Sequence, residues 1–350
     1  MSQKIRTLVV DDSALMRMLI PSMLKRSSQI EVVGAASNPY AAREMIKELN
    51  PDVITLDVEM PRMDGLSFLD KIMRLRPMPV VMVSSLTQEG ADITLQALEI
   101  GAVDFIGKPT IDIEKNMPML ADQLIDKVKA AAGSRVRMRR RPPIAPAKPL
   151  SFDTTEVLVA MGASTGGVET LGRLLAAYPA NAPGTVITQH MPPRFTRQFA
   201  ERLNGHVPAQ VSEAVDGHRI RPGQVLIAPG DQHLTVKRSG ADFVCRLTED
   251  APVSGHRPSV DVLFRSIAEA AGASAVGVIL TGMGRDGAAG LKLMREAGAA
   301  TLGQDEATSL VYGMPKAAFE AGAVEEQLPE DKILSAIMRH VSERGNALRI

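Results

Sequence analysis

Thr7-Leu8-Val9-Val10-Asp11-Asp12-Ser13 is an apolar run that stops on two acids and a hydroxyl. A short, uninterrupted run of this kind reads as a strand buried on both faces, and its polar end as the exit from a parallel sheet. The pattern recurs downstream. Apolar runs at Glu31–Ala35, Val53–Leu56, Val80–Val83 and Val103–Ile106 alternate with amphipathic segments such as Ala41–Leu49 and Ser67–Leu75. Five strands alternating with five helices give a doubly wound α/β domain. Asn38-Pro39 marks one helix start, with Asn as cap and Pro in the first turn.

Residues 131–152 change character. Arg135, Arg137, Arg139, Arg140, Arg141 and Lys148 occur there with no acid among them, beside Pro142, Pro143, Pro146 and Pro149. Proline at that density opposes regular structure and makes a semi-rigid spacer. The expected organisation is a domain over 1–130, a basic linker over 131–152 and a second domain over 153–350. The second domain is also α/β. Val157–Met161, Thr185–Thr188, Gln224–Ala228 and Ala275–Leu280 read as strands, and Glu169–Ala177 as a helix. His233–Arg238 and Asp242–Leu247, joined through Ser239-Gly240, read as an antiparallel hairpin within a mostly parallel pattern.

Bulk properties agree with two soluble domains. At roughly 150 residues per domain, 350 residues make two. Hydrophobic residues are 45% and aromatic residues only 3%, with no Trp, so the cores are built from Val, Ile, Leu, Ala and Met. The formal net charge is zero, so no whole-chain field selects nucleic acid. The single Cys245 excludes a disulfide framework within the chain and speaks against a cysteine-based zinc site. The apolar run after Lys4 and Arg6 meets Asp11 too soon for a signal peptide, and no stretch approaches the ~18 apolar residues of a membrane span. A cytoplasmic location without membrane insertion is expected.

In open parallel sheets, ligands sit outside the carboxyl ends of the strands. Asp11 and Asp12 follow the first strand, Asp57 ends the third, Ser84 ends the fourth and Lys108 follows the fifth. Taken singly, each acid is more often a helix cap or a solvated strand end. Together, three converging carboxylates repel each other, and a hard cation with oxygen ligands such as Mg²⁺ relieves that repulsion. Asp57 can then serve as a carboxylate nucleophile, with Lys108 as a point charge on phosphate oxygens. The set Val9-Val10-Asp11-Asp12-Ser13, Asp57, Met60-Pro61, Asp64-Gly65, Ser84, Phe105 and Lys108-Pro109 resembles a response-regulator receiver domain, over residues 1 to about 125. The resemblance implies a flavodoxin-like (βα)5 fold and Asp57 as phospho-acceptor. It implies Asp11, Asp12 and Asp57 at Mg²⁺, Lys108 at phosphate, Ser84 and Phe105 as switch residues, and a cis Lys108–Pro109 bond.

Gly162-Ala163-Ser164-Thr165-Gly166-Gly167 follows a strand and opens a helix. It satisfies G-x-S-x-G, in which glycines let the chain turn sharply and lift a nucleophilic hydroxyl above the sheet. Glycines before a helix also cradle phosphate, although no P-loop lysine is present. A serine nucleophile needs a base and an orienting acid. Of six histidines, only His190 ends a clearly hydrophobic strand; His256, on a polar loop, is the runner-up. Asp286 lies in the loop after Val276–Leu280, where it also suits an N-cap for a helix over Ala288–Glu296; Asp261 and Asp305 compete for the acid's role. The order Ser, His, Asp differs from ordinary α/β-hydrolases.

The second domain resembles the catalytic domain of the protein-glutamate methylesterases of bacterial chemotaxis, the CheB family. The carrying segments are Gly162–Gly167, Gln189-His190-Met191, Pro258-Ser259-Val260-Asp261 and Leu280–Gly287. The resemblance implies Ser164 as nucleophile, His190 as general base and acid, Asp286 as orienter, and Thr165 and the Met283 N–H at the oxyanion. It implies hydrolysis of glutamate methyl esters on chemoreceptor helices, deamidation of receptor glutamines, no cofactor for the ester chemistry, and a chemotaxis histidine kinase as phosphodonor. The unphosphorylated receiver is expected to cover the mouth around Ser164. Deleting residues 1–150 should therefore raise basal esterase activity, and an unchanged rate would count against covering. The alternative is a response regulator whose C-terminal domain binds a nucleotide or nucleic acid. It expects nucleotide-dependent thermal stabilisation or a gel shift at low salt, and no methanol release.

Overall fold

The computed structural model describes residues 3–60, 63–85, 87–108, 113–134, 136, 143–147 and 157–347. The chain divides into two compact units, Met1–Arg140 and Arg141–Ile350. Arg135, Arg137, Arg139, Arg140, Arg141, Pro142, Lys148 and Pro149 of the expected linker lie outside the described residues, as do Pro61 and the expected cis bond at Pro109. Within the same stretch Ile144 is buried. The Ala147 N–H donates to the Ala177 carbonyl at 2.9 Å.

The first unit alternates strand and helix throughout. Its strands are β1 (Ile5–Val10), β2 (Ile30–Ala36), β3 (Val53–Asp57), β4 (Val80–Ser84) and β5 (Asp104–Gly107). Its helices are α1 (Ala14–Leu24), α2 (Pro39–Leu49), α3 (Gly65–Leu75), α4 (Gln88–Ile100) and α5 (Ile113–Ala132). The sheet order is β2-β1-β3-β4-β5, and every pair is parallel. β3 and β4 are buried along their whole length, which is why they read as largely apolar runs without alternation. Asn38 caps α2 as expected, its side chain accepting from the Tyr40 and Ala41 N–H groups. The chain moves outward from β1 to β2 and then returns to β3 on the other side. That reversal opens a crevice at the carboxyl ends of β1 and β3.

The second unit holds a parallel seven-stranded sheet in the order β15-β14-β13-β6-β7-β10-β8. Its strands are β6 (Leu158–Ala163), β7 (Gly184–Gln189), β8 (Gln210–Glu213), β10 (Gln224–Ile227), β13 (Ala275–Ile279), β14 (Ala300–Gln304) and β15 (Glu326–Leu328). A small antiparallel sheet, β11-β12-β9, is formed by β9 (Arg219–Ile220), β11 (His233–Ser239) and β12 (Asp242–Thr248). The expected hairpin is present, with its turn one residue later. Ser239 pairs with Asp242, so Gly240 and Ala241 make the turn. Gly240 takes the positive φ that such a turn requires. The helices are α6 (Gly167–Ala176), α7 (Phe195–Asn204), α8 (Val260–Ala270), α9 (Ala288–Glu296), α10 (Met314–Glu320) and α11 (Glu330–Ala347). Leu158, Ala160 and Val186 of the sheet pack with Leu263, Phe264, Ile267 and Leu291 in the core. β6 has β7 on one side and β13 on the other, so successive connections diverge beside it. Loops from these three strands meet at one end of the sheet. Among the described residues, no helix is long and apolar enough to cross a membrane.

Candidate active site

The first unit's crevice gathers Asp11, Asp12 and Asp57, each offering a carboxylate oxygen within 4.8 Å of the others. Asp11 and Asp57 are fully buried. Lys108 Nζ lies 2.7 Å from Asp57 Oδ1, which also accepts the Glu59 N–H at 3.2 Å. Asp11 Oδ1 accepts the Ser13 N–H at 2.9 Å. The second oxygen of each buried acid has no hydrogen-bond partner. Burial pushes the Asp57 carboxyl up to about 6; Lys108 offsets part of that rise and the Asp11 charge adds to it. Burial likewise raises Asp11. Burial alone would lower Lys108, but its contact with Asp57 leaves it raised. Buried oxygens without donors, beside two carboxylates already short of solvation, are the donor set that a hard divalent cation fits.

The Ser84 hydroxyl is engaged with α4. It donates to the Gly90 carbonyl at 3.1 Å and accepts from Thr94 Oγ1 at 2.7 Å. Phe105 is buried at the end of the sheet, with Lys127 Nζ 5.7 Å from its ring centre.

In the second unit Ala163 pairs with Gln189, so the next residues, Ser164 and His190, leave neighbouring strands side by side. The His190 N–H donates to the Ala163 carbonyl at 3.1 Å, and the Ser164 N–H to Thr281 at 3.1 Å. The Ser164 carbonyl is held twice, by the Gly167 N–H at 2.7 Å and by Gln189 Nε2 at 2.9 Å. Gly282 explains how the third loop comes so close. A Cβ there would stand 2.8 Å from Ser164 Cβ and 2.3 Å from Met314 Sδ, so only glycine lets this backbone approach. Thr281 Oγ1 donates to the Thr165 carbonyl at 3.0 Å, tying the first loop to the third. Thr165 is buried, and Met283, next in the chain after Gly282, is half-buried.

Asp286 is the hub of the site. Its Oδ2 lies 2.8 Å from His190 Nε2 and accepts the Val260 N–H at 2.7 Å. Its Oδ1 accepts the Ser259 hydroxyl at 2.7 Å and the Asp261 N–H at 3.1 Å. Burial works against its charge, but His190 and these donors together hold the carboxyl well below the usual range. The other ring nitrogen of His190, Nδ1, is buried without a partner. The Ser164 hydroxyl makes no hydrogen bond among the described residues, to the ring or elsewhere.

The N-cap reading of Asp286 needs correction. Gly287, at φ 91°, precedes α9 without any side-chain cap. Asp286 instead caps α8 through space, and Asp261 in the first turn of α8 accepts the Gly290 N–H of α9 at 2.7 Å. Each acid serves the other's helix. Asp261 stands behind Asp286, its carboxyl raised by burial and by that neighbouring charge. Asp305 closes its own turn, accepting from the Thr308 N–H and hydroxyl at 2.9 and 2.6 Å. His256 is not remote: its ring stacks on His190, with centroids 3.8 Å apart. The sequence assigned no role to Gln189 or the Ser259 hydroxyl, though both lie in segments that carry the resemblance, and none to buried His233, whose Nδ1 accepts the Ser259 N–H at 3.2 Å. Cys245 offers no rival nucleophile, since burial pushes its thiol up to about 12.

Residues 159–337 match the family described as CheB methylesterase, and residues 7–117 the response regulator receiver domain. A Pseudomonas aeruginosa protein named protein-glutamate methylesterase/protein-glutamine glutaminase 2 is 53% identical, covering 99% of each chain. The chain belongs to the CheB methylesterase family. A Chromohalobacter salexigens member named protein-glutamate methylesterase/protein-glutamine glutaminase is 52% identical, over 100% of this chain and 99% of its own. The crystal structure of the Thermotoga maritima CheB methylesterase catalytic domain matches with TM-score 0.51 and 37% identity, covering 52% of this chain and 97% of that one. These CheB relatives carry hydrolase names along nearly their whole length, and the nucleotide- or nucleic-acid-binding alternative finds no support in them.

Proposed function

We propose that the chain is a phosphorylation-activated esterase that hydrolyses glutamate methyl esters on chemoreceptor helices and deamidates receptor glutamines. One observation carries the reading. Asp286 grips His190 at Nε2, the ring's remaining nitrogen is buried and unpaired, and the neighbouring strand end carries Ser164, whose hydroxyl is unengaged among the described residues. Nδ1 is then the atom that takes the Ser164 proton, with the Ser164 side chain turning about its Cα–Cβ bond to meet it. Such contacts commonly close only when substrate is bound.

Ser164 Oγ attacks the ester carbonyl while Nδ1 takes its proton. The carbonyl oxygen becomes an oxyanion beside the Met283 N–H and Thr165. The tetrahedral species collapses, the C–OCH₃ bond breaks, and methanol leaves with the proton from Nδ1. Water then gives a proton to Nδ1 and attacks the acyl-serine; the C–Oγ bond breaks, Ser164 Oγ takes that proton back from Nδ1, and the glutamate carboxyl is freed. With glutamine, ammonia is the leaving group and the product is the same. Asp286 orients the ring and offsets its transient charge.

In the receiver, Asp57 is the phospho-acceptor and a chemotaxis histidine kinase the donor. Asp11, Asp12 and Asp57 would hold Mg²⁺, which when bound supplies positive charge for an incoming phosphoryl group. Lys108 pairs with the added phosphate oxygens. The new charge repacks Ser84 and Phe105. Kinase and receptor tails both meet this chain in the cytoplasm. Incubation with methylated receptor should release methanol above the enzyme-free control; release equal to that control would contradict the reading.

A further inference from the structure

We propose that His256 is a positioning residue for the ester reaction: its imidazole is a flat plate that fixes the plane of His190. This rests on the Ser164–His190–Asp286 reading above. The two rings lie face to face, with centroids 3.8 Å apart and planes 10° apart. Asp286 holds His190 at one edge only, through Nε2. The second side-chain torsion of histidine has a broad minimum, so one edge contact leaves the ring room to swing. Nδ1, which has to meet the Ser164 hydroxyl, has no partner of its own to stop that swing. A surface against one face of the ring removes the freedom.

His256 is itself held firmly. Val253 and His256 exchange both backbone hydrogen bonds, at 3.0 and 2.9 Å. Between them Ser254 and Gly255 have φ of 53° and 79°, the two left-handed residues of a tight hairpin turn. Arg257 anchors the next position. Its guanidinium reaches Asp231 Oδ1 at 2.6 Å and the Glu249 and Asp250 carbonyls at 2.8 and 3.1 Å. Ser259 then donates a hydrogen bond from its hydroxyl to Asp286 Oδ1. One loop therefore sets both the face of the base and the carboxylate at its edge. While His190 carries the serine's proton, the face of a neighbouring aromatic ring also favours its positive charge. A phenyl ring would supply both the flat surface and that face.

The test is methanol release by the full chain as His256→Ala, His256→Phe and Ser164→Ala over a range of methylated receptor. His256→Ala is expected to lower kcat roughly 10- to 100-fold with KM little changed. His256→Phe should restore most of kcat. Proton NMR gives a second readout: the His190 ring protons should lose their ring-current shift in His256→Ala and keep one in His256→Phe. If His256→Ala does not fold, His256→Leu makes the same comparison with Phe, since leucine offers no flat face. An unchanged kcat in the Ala or Leu variant would overturn the proposal. So would a Phe variant as slow as Ala, which would assign the effect to a proton of His256, or a change in KM alone. If Ser164→Ala keeps its rate, the triad reading has failed; if it is inactive while His256→Ala is normal, only the plate has.

Discussion

Asp286→Asn is expected to lower methanol release by about 10⁴-fold, the scale seen when an orienting triad carboxylate becomes an amide. Among the described residues, the four partners of this carboxylate reach it as donors: the Val260 and Asp261 N–H groups, the Ser259 hydroxyl and His190 Nε2. An amide NH₂ turned toward His190 makes Nε2 an acceptor and moves the ring proton to Nδ1, where it blocks proton uptake from Ser164. It also faces the Val260 N–H. Turned the other way, the NH₂ opposes the Asp261 N–H. Either arrangement leaves a buried donor unpaired, at about 1–3 kcal/mol, so the variant should also melt earlier. Turnover near the wild-type level, with the melting point unmoved, would show that Asp286 neither orients the base nor caps α8.

Asp57→Asn should separate signalling from chemistry. A phosphodonor should stimulate the wild-type esterase and leave this variant at its basal rate, because no carboxylate remains to accept phosphate. The same substitution should stabilise the receiver. The folded Asp57 carboxyl titrates near 6, above its ordinary value of 3.8. Below about pH 4 both folded and unfolded chains hold the proton. Between about 4 and 6 the unfolded chain releases it first, so stability falls as pH rises through that window. At pH 7 the buried charge costs the fold about 3 kcal/mol. Asparagine carries no such charge, and its variant should have a higher thermal midpoint at neutral pH and a flatter profile from pH 4 to 6. Mg²⁺ should raise the wild-type midpoint more than that of the variant. Full phosphodonor stimulation of Asp57→Asn would place the phosphorylation elsewhere.

The sheets were legible where their strands were apolar and long enough to stand out. β3, β4 and β6 are buried throughout, and their sequences are mostly Val, Ile, Leu, Met and Ala, interrupted only by Thr55 and Gly162 and by the polar ends of β3 and β4. β14 is equally buried, but its Ala-Thr-Leu-Gly-Gln gives no apolar run to find. β8 and β15 have four and three residues with mixed exposure, too short for periodicity to speak. The candidate site was legible through the strand-end rule, which singles out Asp57 and His190, and through the G-x-S-x-G turn, which singles out Ser164, without knowledge of contacts. Its supports were not. A cap signal in sequence points to the helix that follows, whereas Asp286 and Asp261 each cap the other's helix across space. His256 sits 66 positions after the ring it covers, in a polar loop with no strand before it to mark a site.

Methanol release by Ser164→Ala beside wild type, each with methylated receptor, Mg²⁺ and a phosphodonor, reaches the central claim most directly. Among the described residues the hydroxyl has no structural partner to lose, so the variant should melt with the wild type while its rate falls roughly 10³- to 10⁶-fold. A folded variant releasing methanol at the wild-type rate would contradict a serine nucleophile raised at the end of β6.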